Sequence, residues 1–599
     1  MRVADYVTKF LEERLGVKDI FMLTGGGAMF LNDAAAQNKN IRGIFNHHEQ
    51  AGAMAAFAYA KYTGGWGATY VTTGCGATNS ITGLLDAWQD NIPVMFISGQ
   101  VKRPDTMAAM GVPLRQYGVQ EADVIPVVQS LCKYALMVTE PDKIRYHLEK
   151  AMYLGTHGRP GPVWLDLPLD VQGAPIDENN LVGFSPDELT SDYKTEAEAE
   201  ELQKLNELFK SSKRPVIIAG HGVRLAHALP EFKKFIEKYN IPFVGTYLAT
   251  DYVSGDHPLF IGRTGLKGDR AGNFAMQNAD LILSIGCRLG VTVIGYSPKQ
   301  FARAAKIAVV DIDPNEHKKP TIKIDQFINA DAKWFLENFK PQGLNAFTEW
   351  REKCSHWKQT YPVCLPQYRN SQEGINLYHF VDELCAQLPE NGVVAADAGS
   401  AIYVPAQTFK AKTTQRLVLS GAQAEMGFTL PACIGISAAM GKGEVVGITG
   451  DGSLQLNIQE LQVLKEFQFP VKLFVWNNDG YLSIRATQKK IFEGRLYGTD
   501  STNGVSLPST QKIAEAYGLQ YVKMEGSENL GEKIKRVLDM KGPVVCEVMC
   551  IRDQEIVPTI SSKKLPDGRM VSKPLEDLYP FLDRETFKQE MVIEPLPEE

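Results

Sequence analysis

Short apolar runs alternate along this chain with longer segments whose apolar residues recur at helical spacing, and the alternation comes in three blocks. In the first, residues 19–23, 41–46, 68–72, 92–99 and 161–167 read as strands. Between the second and third of these lies AGAMAAFAYAKYTG, an alanine-rich helix of high propensity whose small side chains permit close packing. The second block has apolar strands at 214–220, 280–286 and 306–313. The third has them at 393–397, 441–449, 471–476 and 543–551, with a helical pattern over 454–469. Strands alternating with helices predict parallel sheets covered on both faces. The fold expectation is therefore α/β, with three doubly wound parallel-sheet domains at residues 1–175, 201–345 and 375–555. The acidic, aperiodic residues 176–200 and the stretch 346–374 read as linkers. The Pro-rich, charged residues 556–599 read as a tail, either a lid over a site or plain surface.

At 599 residues the chain has length for three or four domains of about 100–200 residues. A formal net charge of -7, with no basic run, speaks against a nucleic-acid partner. The opening MRVADYVTKFLEERLG has the pattern of an amphipathic helix and lacks the continuous apolar core of a signal peptide. No segment reaches the roughly 18 apolar residues of a membrane span. Nine cysteines, odd in number and without metal-ligand spacing, suit a reducing compartment, so the expected location is the cytoplasm. Cys546 and Cys550 fall in the apolar run 543–551 and read as core.

Candidate chemistry concentrates in two polar loops. Gly450-Asp451-Gly452-Ser453 follows the strand at 441–449, and Asn477-Asn478-Asp479-Gly480 follows the strand at 471–476. In a parallel sheet a strand-loop-helix-strand unit brings both loops to the carboxyl ends of their strands, where ligands bind. Asp451 offers charge, Asn478 a neutral carbonyl and the turn at Gly480 a backbone carbonyl. That donor set suits Mg2+, a hard cation that takes oxygen ligands alongside phosphate oxygens. The glycines beside Asp451 let the backbone approach a diphosphate, which the following helix N-terminus favours. In the first block, Glu49 sits where a strand runs through His47 and His48 into the alanine-rich helix. Adjacent residues there cannot converge on one metal ion, and the plain reading is a helix-capping acid with one buried histidine.

These residues resemble those of thiamine diphosphate (ThDP) enzymes, in particular the acetolactate synthase-like group, and the resemblance covers nearly the whole chain. It implies that Glu49 hydrogen-bonds the aminopyrimidine ring of the cofactor and promotes its imino tautomer. His48 and Gln120 are its implied catalytic companions, Gln120 facing the cofactor adduct. The loop Thr73-Gly74-Cys75-Gly76-Ala77-Thr78-Asn79 is similar to TSGPGATN, with Cys75 in place of proline. Cys75 has no assignable base and reads as a small buried thiol. Gly25, Gly74, Asn79, Gly399, Ser400 and Gln423 are implied to line the cofactor. Met426, in GAQAEMGFTLP, is implied to support its bent conformation. Gly450, Asp451, Gly452, Ser453, Asn478, Gly480 and Tyr481 complete the implied diphosphate site, with Asp451, Asn478 and Gly480 as the Mg2+ ligands.

The resemblance breaks on the acceptor side. Val119 stands where the family has phenylalanine, Thr292 where it has the arginine that holds the acceptor carboxylate, and Thr487 where it has a tryptophan that selects the second oxo acid. All three replace larger or charged groups, and loss of the arginine removes a charge-assisted partner. Arg288 survives in SIGCRLGVT, but both aspartates of the family's FAD-binding strand are missing, so a structural FAD in the middle domain is left open. Gly220-His221-Gly222 alone lacks the spacing of a dinucleotide fingerprint. Residues 262–263 and 268–274 resemble a branch of the family found with sugar and surface-polysaccharide pathways.

The implied activity is that of a Mg2+- and ThDP-dependent carboligase. It decarboxylates a 2-oxo acid such as pyruvate and passes the two-carbon unit to a ketone or aldehyde, for instance a keto-sugar nucleotide. Three alternatives stay open: acetolactate synthase proper, C–C bond cleavage in a cyclic diketone or hydroxyketone, and a ThDP-binding regulatory subunit without activity. The family arrangement implies a homodimer or homotetramer in which Glu49 of one subunit faces Asp451, Asn478 and Met426 of another.

Overall fold

The computed structural model describes residues 1–191, 193–564 and 569–597; residue 192 of the first predicted linker and residues 565–568 and 598–599 of the tail lie outside the described residues. Three six-stranded parallel sheets form the frame. The first contains β1 (Asp19–Met22), β2 (Arg42–Phe45), β3 (Gly67–Val71), β4 (Val94–Gln100), β5 (Tyr134–Met137) and β6 (Val163–Pro168). The middle sheet contains β7 (Pro215–Ala219), β8 (Phe243–Gly245), β9 (Phe260–Arg263), β10 (Leu281–Ile285), β11 (Lys306–Asp311) and β12 (Gln326–Asn329). The third contains β13 (Val393–Ala396), β14 (Arg416–Leu419), β15 (Val445–Gly450), β16 (Val471–Asn477), β17 (Gln520–Met524) and β18 (Val544–Met549). Helices cover both faces, which is why β3, β4 and β6 are apolar runs buried along their whole length.

Strand order decides where ligands can enter. The first sheet runs β2-β1-β3-β4-β6-β5, and the third repeats it as β14-β13-β15-β16-β18-β17. The middle sheet runs β12-β11-β10-β7-β8-β9, the 3-2-1-4-5-6 order of dinucleotide-binding sheets. Winding reverses between β1 and β3, between β13 and β15, and between β7 and β10, and a crevice opens beyond the strand ends at each such point.

Small residues weld the first and third domains together. The helix Glu49–Thr63 packs against the helix Thr429–Ala439 so closely that a Cβ on Gly435 would stand 2.1 Å from the Ala55 carbonyl oxygen. Apolar side chains from both domains merge there into one core.

Three predicted elements differ. The helix expected over 454–469 is broken: a short turn at Asp451–Leu454, a 3-10 segment at Gln455–Glu460 and a helix at Leu461–Phe467. Asn457 leaves helical geometry there, its Nδ2 donating to the Gly427 carbonyl at 2.8 Å. The stretch 346–374, expected as a linker, contains the helix Thr348–Thr360, whose Trp350, Cys354 and Trp357 are buried in the middle-domain core. The described part of the tail is not plain surface. Leu575 and Phe587 join that core, Glu576 pairs with Arg303 at 2.5 Å, and Glu590 accepts from Trp357 and Lys353.

Candidate active site

In the third domain the site grows from the β13/β15 switch point. Asp451 begins a helical turn directly after β15, and β16 delivers Asn478 beside it. Asp451 Oδ1 accepts from Gly452 N–H at 2.7 Å, while Oδ2 accepts from Gly480 N–H at 3.0 Å and Asn478 N–H at 3.2 Å. Burial pushes this carboxyl up to about 6 despite those three donors. Asn478 Oδ1 is buried without a hydrogen-bond partner. Among the described residues the Gly480 carbonyl accepts only from Leu482 N–H, at 3.1 Å, and keeps a second lone pair. A buried acid under strain, an orphaned amide oxygen and a free carbonyl lone pair on two facing loops fit a hard cation. Gly480 has φ 108°, and a Cβ there would lie 2.2 Å from the Thr499 carbonyl oxygen, so only glycine makes this turn.

Neighbouring loops are clipped to this pair. Buried Asp397, at the end of β13, accepts from Ser453 Oγ at 2.7 Å, Thr449 Oγ1 at 2.9 Å and Ala398 N–H at 2.7 Å. Ser453 Oγ in turn accepts from Gly427 N–H at 2.8 Å, which fixes the loop carrying half-buried Met426. Gly399 and buried Ser400 open the helix Ser400–Thr408, close to Ser483, and Gly452 lies under the Tyr481 ring, where a Cβ would stand 2.3 Å from Cε1. Arg485, fully buried, donates to the Asn478 and Asp479 carbonyls, each at 2.7 Å, and to the Arg552 carbonyl at 2.6 Å.

The first domain presents a different cluster. Glu49 opens its helix and is buried; its Oε2 accepts from Asn79 Nδ2 at 3.0 Å, while Oε1 lies 3.3 Å from where a Cβ on Gly76 would stand. His48 is the helix cap, its Nδ1 accepting from Gln50 N–H at 3.1 Å. The cap is thus the histidine and not the acid, and His47 is exposed. Gly74 presses on the Gln120 carbonyl, where a Cβ would approach to 2.1 Å, and Gln120 itself takes a left-handed φ of 60°. Gly25 is packed against Thr72. Cys75, expected to be buried, is exposed, because the short helix Cys75–Asn79 turns it outward. Among the described residues Glu49 makes no hydrogen bond to Asp451, Asn478 or Met426; the seam between the domains is closed instead by Glu460, whose carboxylate accepts from Asn46 Nδ2 at 2.8 Å and His47 N–H at 2.9 Å. Burial pushes Glu460 up to about 7.

A cavity of about 530 Å³ occupies the middle-domain switch point, lined by Gly220, Gly222, Gly286, Arg288 and Asp311. A Cβ on Gly220 would lie 2.2 Å from the Gly286 carbonyl oxygen, so two glycine loops meet in its floor. Thr292 stands at its rim. Val119 is 82% exposed on a loop, Thr487 is exposed with its hydroxyl donating to the Ser483 carbonyl, and Gln423 is exposed and bonded to Gln89. Of the three expected acceptor residues, Thr292 lines this cavity, and Val119 and Thr487 do not.

Sequence reasoning missed Asp397, Glu460 and Arg485. Each is a charged residue inside or beside an apolar run, the one signal that pointed to it.

Family models for thiamine pyrophosphate enzymes match all three blocks: the N-terminal TPP binding domain over residues 1–127, the central domain over 202–339 and the C-terminal TPP binding domain over 397–548. The chain is 32% identical to the acetolactate synthase large subunit of Lactococcus lactis subsp. lactis over 92% of either chain. It is 30% identical to a probable acetolactate synthase large subunit of Methanocaldococcus jannaschii, over 96% of this chain and 95% of that one. Against the chloroplastic acetolactate synthase of Arabidopsis thaliana the identity is 29%, over 93% and 83%.

Proposed function

The chain belongs to the thiamine pyrophosphate enzymes, in their acetolactate synthase-like group, and on that footing we propose a Mg2+-dependent carboligase that decarboxylates a pyruvate-like 2-oxo acid and joins the two-carbon unit to a ketone or aldehyde. When bound, ThDP supplies the electron sink for decarboxylation. Asp451, Asn478 Oδ1 and the Gly480 carbonyl hold Mg2+ in this reading; the orphaned Asn478 oxygen beside a buried carboxylate is the observation that carries it. The N-terminal turn at Gly450–Ser453 takes the diphosphate, kept in place by Asp397 through Ser453. Met426 would support the bound cofactor from a loop that Ser453 clips. Glu49 Oε1, left unbonded by Asn79, holds the proton exchanged with the aminopyrimidine ring, and Gly76 leaves room for that approach. Because, among the described residues, Glu49 makes no bond to the Asp451 cluster, the reading places complete sites between subunits of a homodimer or homotetramer.

The middle-domain cavity, at the switch point of a dinucleotide-type sheet and floored by glycines, supports FAD or a related dinucleotide as a structural ligand. Asp311, from β11, adds a carboxylate to that lining. On the acceptor side, Thr292 and Val119 favour a partner bulkier than a second pyruvate, such as a keto-sugar nucleotide. None of the nine cysteines is paired, which supports a cytoplasmic location, and among the described residues no helix is long and apolar enough to cross a membrane.

The test is product analysis by mass spectrometry after incubation with ThDP, Mg2+ and pyruvate, with and without keto-sugar nucleotides and cyclic ketones. A two-carbon addition to one acceptor, lost in Glu49→Gln, is the expected result. Ring-opened products without pyruvate consumption would replace the carboligase reading with C–C bond cleavage.

A further inference from the structure

Three neighbouring strands of the first sheet, β3, β4 and β6, carry a buried polar chain behind the Gly74 loop. Ser98 and Gln100, two residues apart on β4, face one side of the sheet, and Asp166 on β6 lies in register with Ser98. Ser98 Oγ donates to Asp166 Oδ1 at 2.6 Å, and Gln100 Nε2 donates to Asp166 Oδ2 at 3.1 Å. Trp164 Nε1 donates to Ser98 Oγ at 2.8 Å, which leaves the Ser98 proton for the carboxylate. Gln100 then joins two loops. Its Nε2 also donates to the Ala122 carbonyl, two residues after Gln120, at 2.8 Å. Its Oε1 accepts from Val101 N–H at 3.0 Å and from Oγ1 of Thr73, the residue before Gly74, at 2.7 Å. All four hydrogen-bonding positions of the amide are filled, and only one orientation fills them, because Val101 N–H needs an oxygen and the Ala122 carbonyl needs an N–H.

Between these two anchors Gly74 meets the Gln120 carbonyl, and Gln120 takes its left-handed φ of 60°. A residue other than glycine stays in that region only where its surroundings over-determine it. Glu121 holds the other side of the Gln120 loop, accepting from Met107 N–H at 2.5 Å, Gly118 N–H at 2.8 Å and Tyr117 N–H at 3.0 Å. On the far side of Gly74, the short helix Cys75–Asn79 brings Asn79 to Glu49. Asp166 is costly where it stands. It is 1% exposed and pairs with no cation among the described residues. Burial, with the Asp123 carboxylate adding to it, pushes the Asp166 carboxyl up to about 7 against its two donors. Its carboxylate supplies the acceptor that keeps the Gln100 amide in its one fitting orientation.

Resting on the carboligase reading above, we propose that Gln100 and Asp166 are positioning residues of that reaction. Asp166 orients the Gln100 amide, and Gln100 sets the spacing between the loop of Gln120 and the loop that brings Asn79 to Glu49. Both act through Thr73 and the backbone, so a change in either shifts the alignment of Gln120 and Glu49 and leaves the Asp451 loops of the third domain as they are. A misplacement of about 1 Å at a reacting centre costs up to about 10²-fold in rate.

The test compares the full-length protein with Gln100→Leu, Asp166→Ala and Asp166→Asn, each checked for folding by circular dichroism. With ThDP and Mg2+ bound, the first two lower kcat for CO2 release from pyruvate about 10–100-fold, with KM and ThDP affinity within about threefold of the parent. Asp166→Asn, whose amide oxygen still accepts from Gln100, restores most of the kcat lost in Asp166→Ala. Without cofactor, hydrogen exchange quickens over residues 73–79 and 118–123 in Gln100→Leu and Asp166→Ala. Thr73→Val keeps the side-chain shape and breaks one bond of the chain; it decides the matter if the larger changes do not fold, lowering kcat about threefold or more with KM unchanged. A folded variant with parental kcat, a loss confined to KM, or an Asp166→Asn as slow as Asp166→Ala overturns the proposal, and so does unchanged exchange in both loops. If the parent itself releases no CO2, the carboligase reading fails, and the exchange rates still decide whether Gln100 and Asp166 hold the two loops.

Discussion

The first and third sheets share one strand order, yet the loops at their switch points are held in different ways. In the third domain, buried Asp397, Ser453 and Arg485 tie four loops into a hydrogen-bonded frame before any ligand arrives. In the first, Gly74 presses on the Gln120 backbone while Gly76 and Gly25 pack against the Thr72 side chain, and Glu49 keeps one carboxylate oxygen without a hydrogen bond among the described residues. The frame suits the holding of fixed charge, where preorganised donors and acceptors need not move. The open oxygen suits proton exchange, where a group must bond its partner in two protonation states. One topology thus supports two tasks, decided by how many of its polar atoms are already satisfied.

The largest effect expected from breaking this division is that of Asp451→Ala, which removes the charged member of the proposed cation site. Activity falls by at least about a thousandfold, and ThDP titrated by tryptophan fluorescence binds far more weakly in Mg2+. Glu49→Gln comes next: CO2 release drops by about 10²–10⁴-fold while ThDP affinity stays within a few-fold of the parent. Equal losses of ThDP affinity in the two variants would show that both loop sets bind and that the division is wrong.

The seam between the two domains sharpens the comparison through pH. Glu460 has an ordinary value of 4.5 and is raised by burial to about 7, so the folded chain holds its proton more tightly than the unfolded one. Its contribution is fully present below about 4.5 and is lost as pH rises through 7. Glu460→Gln removes that slope, and the parent should lose of order 3 kcal/mol between those limits that the variant keeps. Urea midpoints at the two pH values measure it, and parallel curves would mean that Glu460 is already ionised in the fold. The smallest effect concerns the acceptor side: Thr292→Arg raises acetolactate formation from pyruvate about tenfold by restoring one charge-assisted contact. Unchanged product ratios would remove residue 292 from specificity.

Much of this protein is written locally. Apolar runs at β3, β4, β16 and β18 show as buried parallel strands because a strand covered on both faces needs no polar alternation. Asp451, Asn478 and Gly480 are readable because each follows a strand within three residues, and parallel topology sends all strand ends to one edge. Glycine positions such as Gly480 are equally local, since φ belongs to one residue. Tertiary structure decided the rest. Whether Cys75 faces in or out, why the helix after Asp451 breaks at Asn457, and what the tail covers all depend on partners far along the chain: Gly427 for Asn457, Arg303 for Glu576. Asp397, Glu460 and Arg485 show locally only as charges in or beside apolar runs, and their roles stay hidden because their partners lie in other loops or in another domain. Periodicity records what one segment buries. Which charge answers which, as with Glu460 at a seam 414 residues from Asn46, is settled only when distant segments meet and water is excluded from between them.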